Sequence, residues 1–145
     1  MRGYAAIGIQ EVQKDGNFGG VLRAAHCYDA RLIVIGGRFI REVTNTTKAE
    51  RHIPVIQGQD DLFSAIPFDC VPIAVDLLPD AKSIVEFKHP ESDFYIFGAE
   101  GNTLGKKITD RCKHKIYVPT NYCMNLAATV NVVLYDRLQK QGQKP

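Results

Sequence analysis

Asn17 and Arg23 flank a glycine pair in the stretch Asn17-Phe18-Gly19-Gly20-Val21-Leu22-Arg23-Ala24-Ala25. The guanidinium of an arginine stays protonated and offers five donors and no acceptor, so it grips an anion such as phosphate through a planar fork rather than taking up a proton. Asn17 suits the N-cap of a helix that carries Arg23 one turn in, and the glycines permit close backbone approach. Taken alone, the segment reads more readily as an ordinary helix start with a solvated arginine. A second segment, Phe94-Tyr95-Ile96-Phe97-Gly98 followed by Ala99-Glu100-Gly101, is a buried strand ending in glycine, the kind of sheet edge at which α/β proteins dock ligands. A third, Val118-Pro119 and then Cys123-Met124-Asn125-Leu126, ends a strand and opens a helix. In its body Met124, Leu126, Val130, Val133 and Leu134 have the spacing of core residues. The phosphate-loop pattern fails, because three residues separate Gly101 from Gly105 and Lys106 is followed by Lys107; the dinucleotide pattern G-x-G-x-x-G fails as well.

The elements that must position these groups are legible as an alternation. Tyr4–Ile9, Arg31–Ile35, Val71–Val75, Phe94–Phe97 and Lys115–Val118 read as short buried strands. Phe18–Ala30, Asp60–Ile66, Ala81–Glu86, Leu104–Arg111 and Met124–Lys140 read as helices covering them. Repeated strand–helix alternation predicts an α/β fold with a parallel sheet flanked by helices, in one domain over residues 1–145. The Gly36–Pro54 stretch is the one long polar connection. Around it stand Arg38, Arg41, Lys48, Arg51 and His52, with Thr44, Asn45, Thr46 and Thr47 between them, a pattern that suits phosphate contacts or a merely solvated loop about equally. His26 and His89 read as structural.

Bulk properties narrow the class without choosing a function. The content is 45% hydrophobic and 23% charged, ordinary for a folded soluble domain. A chain of this size buries about 68–70% of its unfolded surface, enough for a full core. Net charge is only +2, from 18 basic and 16 acidic side chains, so a nucleic-acid surface has to be a local patch. The apolar run at the N-terminus is too short for a signal peptide or membrane span, which gives a cytoplasmic expectation. Cys27, Cys70, Cys112 and Cys123 lack zinc-site spacing; reduced thiols and no metal are expected.

The three segments occur in the order, and with the separations, of the three motifs of the SpoU/TrmH group of SPOUT RNA ribose methyltransferases, and the chain resembles that group along essentially its whole length. The resemblance implies a SPOUT fold with a C-terminal trefoil knot, S-adenosylmethionine as cofactor, a homodimer with each site shared between subunits, and no attached RNA-binding domain. It implies methyl transfer to a ribose 2′-hydroxyl, with tRNA first and rRNA second as substrate. Carried over residue by residue, Asn17 and Arg23 are catalytic, Arg23 either assisting proton removal or orienting the RNA. Val75, Phe97, Gly98, Glu100, Gly101, Val118, Pro119, Cys123, Met124, Asn125 and Leu126 hold the cofactor. Arg38, Arg41, Lys48 and Arg51, which belong to the basic connection and to none of the three motifs, are the candidates to meet the RNA. The chain departs from the group in having Cys123 where Ser is usual and a shorter loop after Pro119. Methylation of a base nitrogen, and an RNA-binding module that has kept the fold without catalysis, are the alternative readings.

Overall fold

The computed structural model describes residues 3–11, 15–37, 52–98 and 103–142. Among the described residues seven strands form one sheet: β1 (Ala5–Ile9), β2 (Leu32–Gly36), β3 (Val55–Gln59), β4 (Val71–Val75), β5 (Lys82–Ser83), β6 (Asp93–Phe97) and β7 (His114–Tyr117). Their spatial order is β3-β2-β1-β6-β4-β7-β5, and every pairing is parallel. The helices are α1 (Asp15–Cys27), the single turn α2 (Lys106–Thr109) and α3 (Leu126–Gln141).

Strand side chains alternate between the faces. Ile7, Ile9, Ile33, Ile35, Ile73, Val75, Tyr95 and Phe97 point to the side where α1 and α3 pack, meeting Val21, Leu22, Ala25, Val130, Val133 and Leu134. Ala6, Val34, Ala74, Phe94 and Ile96 point to the other side, against Leu62, Cys70 and Leu104. Because both faces are covered, the central strands are continuous apolar runs, as parallel sheets require. Two glycines permit close approaches. A Cβ on Gly8 would lie 2.4 Å from the Phe94 ring, and one on Gly20 would lie 2.7 Å from the Cβ of Ala127, where α1 meets α3.

Several expected elements are corrected. The first helix begins at Asp15, so Asn17 lies inside its first turn and is not its N-cap. That helix ends at Cys27, three residues before the expected Ala30, because Asp29 turns into the left-handed region at φ 55° and Ala30 N–H bonds back to the Ala25 carbonyl, a helix-closing arrangement that glycine more often makes. The helix expected over Asp60–Ile66 is a 3₁₀ turn, Leu62–Ala65, capped by Asp61, whose carboxylate accepts from Phe63 N at 3.0 Å. The one over Ala81–Glu86 is instead the strand β5 followed by a 3₁₀ turn, Ile84–Glu86, and the one over Leu104–Arg111 shrinks to α2. The final helix starts at Leu126, two residues later than Met124, because Asn125 caps it. Strand β3 falls just after the polar connection, in residues not expected to be a strand. All four cysteines are free thiols.

Candidate active site

In a parallel sheet every strand delivers its C-terminal end to the same edge. The strands β6, β4 and β7 are neighbours there, and the loops leaving them enclose a cleft of about 900 Å³. Val75 and Phe97, core residues at their strand ends, form its floor together with Leu126 at the start of α3. Gly98 and Thr103 close it on the β6 side, and residues 117–124 wall it on the β7 side.

Asp76 holds these loops in place. One carboxylate oxygen accepts from Leu77 N at 2.8 Å, the other from Leu104 N at 2.7 Å, and its own N–H donates to the Ile116 carbonyl at 2.9 Å. One side chain thus ties the loop after β4 to the loop after β6, beside β7. The chain turns after Pro119, which has no N–H to extend the ladder. Thr120 Oγ1 donates to the Tyr122 carbonyl at 2.7 Å, holding a bend that leaves the Tyr122 ring 87% exposed at the rim. Leu77 stands at the same rim, 75% exposed.

Among the described residues that line the cleft, Asp76 is the one carboxylate, and both its oxygens are occupied by backbone amides. The lining therefore suits binding and alignment: an apolar floor for a flat ring, with the Thr103 hydroxyl and the oxygen lone pairs of Thr120 and Thr129, whose protons go to the Tyr122 and Asn125 carbonyls, for polar groups. A proton acceptor for a reaction has to come from elsewhere.

Of the residues singled out from sequence, Val75, Phe97, Gly98, Val118, Pro119, Cys123, Met124 and Leu126 all line this one cleft, although they come from three segments. Asn125 does not. Its side chain turns back to accept from Ala128 N at 2.8 Å, and its carbonyl accepts from Thr129 Oγ1 at 3.0 Å, so it sets the start of α3 and thereby the wall beside it. Glu100 and Gly101 fall outside the described residues, between Gly98 and Thr103. Asn17, half-buried, and Arg23, exposed, lie on α1, and neither lines the cleft of its own chain. Arg38, Arg41, Lys48 and Arg51 also fall outside the described residues. The end of that connection is visible where His52 stacks on His26 of α1, with ring centres 4.9 Å apart. Asp76, Leu77, Thr103, Tyr122 and Thr129 were not anticipated. Asp76 carried a usable signal, since it directly follows a buried strand as Gly98 does.

At the opposite end of the sheet lies a buried polar cluster. His89 Nδ1 is 2.6 Å from the Tyr95 hydroxyl and its Nε2 is 2.7 Å from Asp136; Tyr95 donates to Asp93 at 2.9 Å, and Arg137 Nε donates to Asp93 at 3.2 Å. Lys140 pairs with Asp136 at 2.9 Å and donates to the carbonyls of Ile84 and Phe87. Burial lowers the proton affinity of His89 and raises that of the Asp93 carboxyl to about 6 in spite of Arg137. These contacts tie α3 to β6 and to the segment after β5, so they fix the helix whose first turn borders the cleft.

Residues 5–135 match the family described as SpoU rRNA Methylase. Among solved structures, the SpoU methyltransferase AviRb from Streptomyces viridochromogenes, in complex with AdoMet, superimposes with a TM-score of 0.80 at 15% identity, covering 97% of this chain and 62% of that one. The TrmH/SpoU tRNA modifying enzyme of A. aeolicus gives 0.81 at 12% identity, over 94% of this chain and 75% of that one. A protein studied for 2-OH methylation of C/U34 on tRNA gives 0.77 at 18% identity, over 97% and 92%. The chain spans about 61–62% of the length of the first of these relatives. Comparison with curated protein sequences gives no match.

Proposed function

The chain belongs to the SpoU rRNA methylase family, and from that premise we propose that it is an S-adenosylmethionine-dependent RNA methyltransferase that acts on a ribose 2′-hydroxyl, of tRNA first and of rRNA second. The observation that carries the reading is the cleft itself: residues of the second and third sequence segments, distant along the chain, converge on one cavity at the C-terminal ends of β4, β6 and β7. Its size and lining fit the cofactor. The floor of Val75, Phe97 and Leu126 suits an adenine ring, and the threonine hydroxyls suit its polar portions. When bound, S-adenosylmethionine supplies a methyl group activated on a sulfonium. The chain's part is to hold the acceptor oxygen in line with that methyl and to exclude water, which supplies much of the rate.

Asn17, half-buried, and Arg23, exposed, both stand on α1 outside the lining of their own cleft. That supports a homodimer in which they serve the partner's site, Arg23 gripping the phosphate beside the target nucleotide. In that position its permanently protonated guanidinium orients the RNA and offsets developing negative charge, and the 2′-hydroxyl proton is released to solvent at the mouth of the site. The strand order supports a knotted C-terminal part: the chain enters β6 between β1 and β4, then crosses to the far side of β4 for β7. We take residues 1–145 as one catalytic domain, placed in the cytoplasm.

Calorimetry with the purified chain tests the cofactor assignment. S-adenosylmethionine and S-adenosylhomocysteine bind and ATP does not; ATP binding with no response to either sulfur ligand overturns it.

A further inference from the structure

A second cavity, of about 490 Å³, lies at the β5 edge of the sheet and takes no part in the site described above. Lys82, Lys88, Lys113, Lys115 and His114 line it, with Asp80 as the one acidic residue. They come from three separate segments: the edge strand, the turn after it, and the start of β7. Lys115 is neutralised by Asp80 at 2.7 Å. Among the described residues, Lys82, Lys88 and Lys113 make no ion pair. Four lysines against one carboxylate leave an excess of three positive charges around one concavity, more than the net +2 of the whole chain.

Protection of a sheet edge accounts for a lysine on the edge strand itself, here Lys82. It does not account for Lys88, which follows the turn after the edge strand, or for Lys113, whose N–H bonds to the Pro72 carbonyl of the interior strand β4; both line the same hollow. His114 reports the resulting field. Its ring sits edge-on to Phe87 with centres 5.4 Å apart, and its proton affinity is lowered by burial and then by Lys113 and Lys82. Exposed like charges gathered around one concavity, with no carboxylate beside three of them, make a local positive field that draws an anion.

The position also matters. Lys115 precedes Tyr117 by two residues on β7, and Tyr117 lines the candidate active site. At about 3.3 Å per residue, the two hollows are joined by about 7 Å of strand. An extended polyanion lying in the basic hollow therefore leads toward the cleft. Sheet order puts β5 at the opposite edge from β3, the strand that follows the basic Gly36–Pro54 connection.

We propose that the hollow at the β5–β7 edge binds backbone phosphates of the RNA substrate, flanking the nucleotide that enters the cleft. This rests on the reading of the protein as an RNA methyltransferase and adds a substrate contact to it. The test is the double variant Lys88→Gln/Lys113→Gln, both exposed positions, compared with the unaltered chain for binding of a tRNA mixture at several salt concentrations. Loss of two phosphate contacts lowers the magnitude of the salt slope by about 1.4 to 1.8. Affinity at low salt falls about tenfold or more, while the affinity for S-adenosylmethionine is unchanged. In the unaltered chain, RNA raises the His114 proton affinity in an NMR titration, because bound phosphate cancels the lysine field. If the variant binds tRNA with unaltered affinity and slope while the unaltered chain methylates RNA, the hollow is not an RNA contact and the enzyme assignment stands. An unaltered chain that binds neither RNA nor S-adenosylmethionine overturns both. Retention on phosphatidylserine vesicles without RNA binding assigns the lysines to a membrane surface and overturns the proposal.

Discussion

Arg23 and Cys123 are the residues at which the proposed chemistry is most exposed to test. Arg23 is exposed on α1 and absent from the lining of its own cleft. Arg23→Ala is therefore expected to cut methyl transfer by at least about a hundredfold while leaving S-adenosylmethionine affinity near normal, with Arg23→Lys recovering little because a lysine lacks the planar fork. Steady-state kinetics beside calorimetry separates the two effects, and a fully active alanine variant removes Arg23 from the mechanism. Cys123 is an exposed thiol in the cleft wall, whereas burial raises the proton affinity of Cys70 and pushes that of Cys112 up to about 11. Iodoacetamide should therefore modify Cys27 and Cys123 first. S-adenosylmethionine should protect Cys123 and leave Cys27 reactive, as read by peptide mass mapping; equal protection of both cysteines, or of neither, contradicts the placement of the cofactor. The cleft residues were legible because each follows a buried strand or opens a helix. The role of Asn125 was not, since a motif match does not reveal whether an amide faces a ligand or its own backbone.

Elements fix where those residues stand, and the contact between α1 and α3 is the most demanding. Alanine is the better helix former by about 1 kcal/mol, yet a Cβ at Gly20 would lie 2.7 Å from the Ala127 Cβ, an atom with no rotamer to move. Gly20→Ala should accordingly destabilise by about 1–3 kcal/mol in denaturant unfolding, and Ala127→Gly in the same chain should recover part of the loss. At the other end of the sheet, the buried cluster makes opposing demands on acid stability. His89 resists protonation when folded, so the unfolded chain binds the extra proton and stability falls as pH drops below about 6.5. Asp93, raised to about 6, holds its proton more tightly when folded, which adds stability as pH drops from about 6 toward 4. Burial pushes Asp136 up, but Lys140 and His89 outweigh it, so its contribution is lost only below the ordinary carboxylate range. The two effects offset each other between about pH 4 and 6.5, and Asp93→Asn should expose the His89 loss as a steeper fall of Tm in that window; an unchanged profile contradicts the opposition. The central strands were legible as unbroken apolar runs, as burial on both faces requires. Strand β3 was hidden because it is a half-exposed edge reading Val-Ile-Gln-Gly-Gln, with Gly58 at φ 71°. The helices expected over Asp60–Ile66 and Ala81–Glu86 were overread, since Asp61 and Ser83 cap 3₁₀ turns, each with a side-chain oxygen that accepts from the N–H two residues on, and a few apolar residues do not distinguish those from longer helices.

For the whole molecule, the separation of Asn17 and Arg23 from their own cleft predicts a homodimer at micromolar concentration by light scattering, and a monomer with full activity contradicts the shared site. No described helix is long and apolar enough to cross a membrane. Alternation of strand and helix was enough to read a parallel α/β sheet, but not the strand order, because the insertion of β6 between β1 and β4 depends on contacts far apart in sequence. The most direct measurement of the central claim is to incubate the purified chain with isotopically methyl-labelled S-adenosylmethionine and unmodified tRNA, digest the product to nucleosides and identify the labelled species by mass. The account predicts label in a 2′-O-methyl nucleoside, lost on mutation of Arg23. Label in a methylated base, or no label in any RNA offered while the cofactor is bound, contradicts it.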